Sequence, residues 1–297
     1  MLQEFQLMTK GPTKLAAAVV TPDHTDRPTA IVQLIHGALE HKERYFSFAS
    51  YLAERGYVVV MIDNRGHGRS VSAADPFGIM HSWQQQVSDQ VVLSKWIKQR
   101  YPNRPLFLFG HSLGSIWGRM YLQHDDELID GLILTGTVRY IPVVPVGILL
   151  GKLYQRVRGA TATSTLLSRL SGMAPGDHDW LTYNRENINR VIKDPLMMDQ
   201  YPVSSLLTVW LGDFQLKQTA HFACRHRDLP ILSITGDHDK FTGGRRGLKD
   251  TVRTLNRIGY QNVTSIVMPH MKHEVLNETG HEKVYALIYQ FLRQHQA

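Results

Sequence analysis

The pentapeptide Gly110-His111-Ser112-Leu113-Gly114 restricts this chain more than any other feature. It stands between an unbroken apolar run, Leu106–Phe109, and a segment with helical character, Gly114–His124, whose Gly114, Ser115 and Gly118 permit close packing. A G-x-S-x-G sequence between a buried strand and a helix turns the chain so sharply that the serine hydroxyl stands out at the carboxyl edge of a parallel sheet. The flanking glycines remove side chains that would collide with neighbouring elements. A glycine-lined turn holding an inert serine is the plainer alternative, so the rest of the chain has to supply partners for the hydroxyl.

The surrounding pattern agrees with such a sheet. Short β-rich runs alternate with amphipathic helices, the signature of a mostly parallel sheet flanked by helices. Strands are expected at Leu15–Val20, Ala30–Ile35, Tyr57–Ile62, Leu106–Phe109, Gly131–Leu134, Ile231–Ile234 and Thr264–Met268. Several are continuously apolar, as strands covered on both faces must be. Helices are expected over Glu43–Arg55 with Gly56 as its cap, before Tyr101-Pro102, around Leu248, Val252 and Leu255, and around Val284, Leu287, Ile288 and Phe291. From about Val138 to about Arg227 there are helical patterns but no good strand. The expected organisation is an α/β core, 1–137 and 228–297, interrupted by a helical lid, 138–227.

A serine hydroxyl is a weak nucleophile until a neighbouring base takes its proton. In this chain order the base follows the serine, with an acid between them. His273 is the expected base, because a loop after Thr264–Met268 would carry it back over the sheet. His270, at the strand end, is its rival and reads as structural. The acid should follow Ile231–Ile234, where Asp237 and Asp239 are both offered. Asp239 lies further into the loop and is preferred, whereas Asp237 beside Gly236 can serve the turn through its own backbone. The developing oxyanion needs backbone donors. These are expected from the N–H of Leu113 and, after His36-Gly37, the N–H of Ala38.

Composition excludes several other classes. The 297 residues carry a net charge of +7, but Lys and Arg are scattered, and no basic block interleaved with aromatics marks a nucleic-acid surface. One cysteine, Cys224, allows no internal disulfide. The start, MLQEFQLMTK, lacks the apolar core of a secretory signal. The longest apolar stretch, Tyr140 to Gly151, falls short of the roughly 18 residues of a membrane span. A cytoplasmic protein is expected. His270-x-x-His273-Glu274 matches neither zinc-binding order, so no metal is expected.

Four separated segments resemble monoacylglycerol lipases and bacterial lysophospholipase-like hydrolases of the α/β-hydrolase superfamily. They are His36-Gly37-Ala38-Leu39-Glu40-His41-Lys42-Glu43-Arg44-Tyr45, Asp63-Asn64-Arg65-Gly66-His67-Gly68-Arg69-Ser70, the serine turn itself, and His273-Glu274-Val275-Leu276-Asn277-Glu278. The resemblance covers about residues 10–137 and 228–295. It implies the α/β-hydrolase fold and a Ser112, Asp239, His273 triad with an oxyanion hole from Ala38 and Leu113. It also implies cofactor-free hydrolysis of a small-molecule ester on a lipid-like acyl chain. Glu40, His41, Arg44, Arg65 and His67 match positions that look structural. Ser115, where eukaryotic lipases have another glycine, and the whole lid depart from the pattern.

Other readings stay open. An aminopeptidase or amidase would use the same triad and need an acid for the substrate amine, for which Asp177, Asp179 and Glu186 are candidates. A non-catalytic receptor on the same fold is the third reading. The apolar lid residues Ile141–Leu150, Leu206-Leu207 and Val209–Leu211 suit an acyl-chain tunnel or a transient membrane contact, and equally well simple packing onto the core.

Overall fold

A computed structural model describes all residues except positions 10, 12, 24–26 and 297. Eight strands form one sheet: β1 (Leu2–Met8), β2 (Lys14–Val20), β3 (Ile31–Ile35), β4 (Val58–Ile62), β5 (Leu106–His111), β6 (Gly131–Thr135), β7 (Ile231–Gly236) and β8 (Val263–Met268). Their order is β1-β2-β4-β3-β5-β6-β7-β8. β2 runs antiparallel to both β1 and β4, and every later pairing is parallel. This is the mostly parallel sheet expected from the alternating pattern.

Two apolar layers sandwich the sheet. On one face, α1 (Phe46–Ala53) and α9 (Glu282–His295) press Phe48, Leu52, Ile288 and Leu292 against Leu34, Met61 and Phe109. On the other, α2 (Trp83–Arg100), α3 (Leu113–Tyr121) and α8 (Gly244–Ile258) bring Leu93, Trp117 and Leu255 against Ile35, Leu108 and Leu134. Strands β3, β4, β5 and β6 are buried along their whole length, which is why their sequences show no alternation.

Two elements differ from expectation. β1 was not anticipated, because it is an edge strand with only Leu7 buried and no apolar run to mark it. The helix expected over Glu43–Arg55 is divided into a 3₁₀ turn, Lys42–Tyr45, and the shorter α1.

Between β6 and β7 lie four helices: α4 (Val144–Arg158), α5 (Thr165–Leu170), α6 (Arg185–Lys193) and α7 (Val203–Gln215). Among the described residues this stretch has no ladder strand, only an isolated bridge between Thr163 and Pro202. α4 packs along α7, and α7 in turn rests on α2 and α3. Hydroxyls fasten α7 to the loop before α2. Ser205 accepts from the N–H of Met80 (2.9 Å) and donates to Gly78 (2.7 Å), while Thr208 donates to the Met80 carbonyl (2.7 Å). No helix among the described residues is long and apolar enough to cross a membrane.

Candidate active site

Ser112 sits where β5 ends and α3 begins, with φ 51° and ψ −114°. A left-handed conformation costs a residue with a side chain about 1–3 kcal/mol and persists only where the surroundings enforce it. The Ser112 N–H is held by the Thr135 carbonyl at 3.0 Å. The first turn of α3 presses on β3 so closely that a Cβ on Gly114 would lie 2.2 Å from the Ile35 carbonyl oxygen. Only glycine fits there.

The structure brings three of the expected residues into one line of hydrogen bonds. His273 Nε2 lies 2.7 Å from Ser112 Oγ, and His273 Nδ1 lies 3.0 Å from Asp239 Oδ1. Asp239 is buried and also accepts from the N–H of Phe241 (2.8 Å), the N–H of Thr242 (3.3 Å) and the Thr242 hydroxyl (2.8 Å). Burial alone would raise its pKa, but His273 and these donors outweigh it and hold the carboxyl below its ordinary value. An imidazole anchored this way presents a bare Nε2 to the hydroxyl and can take its proton.

The rivals sit elsewhere. Asp237 is exposed and accepts from the N–H of Met271 at 3.2 Å, a bond that closes its own loop. His270 is exposed at φ 56° at the strand end.

Ala38 and Leu113 line the same pocket as Ser112. Among the described residues neither N–H donates to another protein group. The first N–H groups of a helix have no partner within it, so the Leu113 donor is available to a ligand. The loop before Ala38 is drawn tight by Glu40, whose Oε1 accepts from the Gly37 N–H (2.5 Å) and the Tyr45 hydroxyl (2.5 Å). A Cβ on Gly37 would stand 2.6 Å from Glu40 Oε1 and 3.2 Å from the Ser112 Cβ.

Around this centre is a shell of buried polar contacts. Arg44 joins Glu40 (2.5 Å) to Glu274 (2.6 and 2.7 Å), and Asn187 donates to Glu274 (2.7 Å). Burial opposes the charge on Glu274, but Arg44 prevails and brings its pKa down to about 2. His36 donates to the Gly37 carbonyl and accepts from the N–H of Asn64, both at 2.8 Å. Burial keeps it neutral, with a lowered pKa. Burial likewise pushes His67 down to about 3 and, with help from His273, His111 to about 4. Arg65 is pinned between Asp89 (2.9 Å, twice) and Asp75 (3.1 Å). His41 meets Asp194 at 2.9 Å. Glu40, His41, Arg44, Arg65 and His67 thus bind neighbouring loops, and among the described residues none of them hydrogen-bonds Ser112.

Sequence reasoning missed the aromatic walls. The His273 ring is packed by Trp180 (5.2 Å between centroids) and Phe241 (5.0 Å), and both line the pocket over Ser112. Phe241, two residues past Asp239, was within reach of the motif; Trp180, in the turn between α5 and α6, carries no signal of its own. Tyr201 was also unmarked. Its hydroxyl accepts from the N–H of Leu39 (2.8 Å) and meets His67 Nε2 (2.6 Å), joining the helical insertion to the core.

The pocket itself is mainly aliphatic. Val138, Ile141, Val144, Val146, Leu150, Leu167 and Leu170 continue from Ile116 and Trp210, and the empty space out to its open mouth is about 1110 Å³. A second, more polar pocket of about 750 Å³ adjoins it across Ala38, Met173 and Trp180, and includes Arg44, Asp177 and Asp194.

Residues 26–280 match the family model described as Serine aminopeptidase, S33. The chain belongs to this family of α/β-hydrolases. It is 26% identical over 277 residues to a monoacylglycerol lipase of Mycolicibacterium smegmatis, covering 90% of this chain and 89% of that one. An abhydrolase domain-containing protein of Dictyostelium discoideum is 25% identical over 97% of this chain, which spans only 28% of that longer protein. Among solved structures, a thermostable carboxyl esterase from Bacillus coagulans in complex with glycerol superposes with a TM-score of 0.87 at 25% identity, covering 100% of this chain and 99% of the other.

Proposed function

We propose that this protein is a serine carboxylic-ester hydrolase for lipid-like acyl esters of the monoacylglycerol or lysophospholipid type. The observation that carries the reading is the Ser112 hydroxyl, 2.7 Å from His273 Nε2, at the wall of an aliphatic pocket. In the proposed reaction, Ser112 attacks the ester carbonyl while His273 takes its proton. Asp239 fixes the imidazole tautomer and stabilises the imidazolium that forms. The N–H groups of Ala38 and Leu113 hold the oxyanion. His273 then gives the proton to the leaving alcohol, and a water deprotonated by His273 releases the acid from Ser112. No step calls for a cofactor.

Residues 138–227 act as a lid in this reading. Val146, Leu149, Leu153 and Val157 are more than half exposed along one stripe of α4, with Leu166 and Leu170 on α5. Lys152, Arg156, Arg158 and Arg169 are the charged residues of these two helices, and no acid is among them. An apolar stripe edged with cations suits a membrane surface that supplies the substrate.

The similarity to a monoacylglycerol lipase and a carboxyl esterase supports an ester over an amide. Of the acids that an amine substrate would need, Asp177 lines the second pocket, Asp179 is taken by Lys272 (2.9 Å), and Glu186 is exposed. The test is a fluorophosphonate probe together with Ser112→Ala and a medium-chain 4-nitrophenyl ester. Labelling at Ser112 and loss of nearly all turnover in the variant are expected. An unlabelled serine, or turnover that survives the substitution, overturns the proposal.

A further inference from the structure

Among the side chains lining the aliphatic pocket, one is ionisable: Asp213, on α7, only 3% exposed. Its Oδ2 accepts from the N–H of Ile141 at 3.1 Å. Among the described residues its Oδ1 has no hydrogen-bond partner. A buried acceptor left without a donor is costly, and native structures keep few of them.

Two neighbouring cations are engaged elsewhere. Arg119, buried on α3, donates to the carbonyls of Ser115 (2.8 Å) and Val138 (2.7 Å). Lys217 is spent on Asp250 (2.6 Å) and Thr254 (2.7 Å). Within the pocket, the Ser171 hydroxyl donates to Leu167 (2.8 Å) and the Trp180 indole to Asp177 (2.9 Å). Anchoring Ile141 accounts for one carboxylate oxygen and leaves the other without a donor, on a residue that lines the pocket.

We propose that Asp213 is a specificity-determining residue that accepts a hydrogen bond from a hydroxyl on the acyl chain, so that esters of hydroxylated fatty acids are the preferred substrates. The proposal rests on the ester-hydrolase reading above. A hydroxyl suits the site better than an ammonium group. One acceptor satisfies a hydroxyl, whereas a cation among Val, Leu and Ile would face a desolvation penalty that one carboxylate repays poorly. Burial also pushes Asp213 up to about 6, so the group meets a hydroxyl comfortably in either protonation state.

The test uses the intact enzyme and 4-nitrophenyl esters of one chain length. One is plain, a series carries a hydroxyl at successive positions, and a matching series carries an amine. At one position the hydroxylated ester is expected to exceed the plain one in kcat/KM by roughly tenfold or more, as a hydrogen bond to a charged group allows. Asp213→Leu should reverse that order, with the plain ester turned over faster than before. Asp213→Asn, which keeps the shape and one acceptor, should reduce the preference several-fold, and it carries the test if the Leu variant does not fold. Absence of any hydroxyl preference, a preference unmoved by both substitutions, or a stronger preference for the amine overturns the proposal. Hydrolysis of the plain ester in such a result leaves the ester reading standing. Failure to hydrolyse any ester removes both.

Discussion

Arg44 and Glu274 meet in a two-pronged ion pair, Nη1 to Oε1 at 2.6 Å and Nη2 to Oε2 at 2.7 Å, that ties the loop after β3 to the loop after β8. One loop carries Ala38 and the other His273, so the pair holds the proposed oxyanion donor and the proposed base in register. Arg44→Met would leave Glu40 and Glu274 buried without their cation. Breaking such a pair costs about 3–5 kcal/mol. Urea unfolding should show that loss, with ester turnover falling alongside it; an unchanged midpoint would mean the clamp is dispensable.

Asp239→Asn should separate folding from chemistry. The amide can occupy the carboxylate's place, but it favours the wrong imidazole tautomer. A fall in kcat of about 10⁴, with KM little altered, is expected. Steady-state kinetics on the purified variant, with its melting curve as a control, provides the measurement.

Gly37→Ala asks whether the Ala38 loop must lie as close as it does. The added methyl would meet Glu40 Oε1 at 2.6 Å and push the loop away from Ser112. Displacing one oxyanion donor costs about 10²–10³ in kcat. Full activity in this variant would point to another donor.

Stability should decline on the acid side in two stages. His36, His67 and His111 are buried, and burial lowers the pKa of each from 6.5, to about 3 in His67 and about 4 in His111. The unfolded chain therefore binds protons that the folded chain refuses. Stability is full above pH 6.5 and falls as the pH drops below it, until the folded-state values are reached. Glu274 has the same sign lower down: its contribution is complete above about 4.5 and disappears toward about 2. Chemical denaturation at a series of pH values will trace both limbs, and Glu274→Gln should make the lower one shallower.

Leu149→Ser with Leu153→Ser should weaken the binding of the enzyme to phospholipid vesicles by roughly tenfold or more, since burying a leucine contributes about 1.5–3 kcal/mol. Both side chains are more than 60% exposed, so the fold should tolerate the change. Co-sedimentation with vesicles gives the readout, and equal binding of both proteins would remove the proposed membrane face.

The parts legible in the sequence were those in which neighbouring residues share one environment. β4 and β5 are covered on both faces, and Val58–Ile62 and Leu106–Phe109 accordingly read as unbroken apolar runs. The serine turn encodes its own geometry within five residues, and the proposed histidine and acid are marked by their position after successive strands. β1 escaped because its environment is mostly solvent. Trp180, Tyr201 and Asp213 escaped for another reason. Each belongs to the insertion between β6 and β7, far from Ser112 in sequence, and only the fold brings it to the pocket or to the loops around the site.

Tyr201, just before α7, and Ser205 and Thr208 within it are all tied by hydrogen bonds to loops of the core. Among the described residues α4 and α5 have no comparable moorings, and their outward residues are largely aliphatic. On the proposed reading, a bulky ester enters as these two outer helices flex against a fixed floor. The dimensions of the doorway can vary with each guest while the hydroxyl, imidazole and carboxylate below stay aligned.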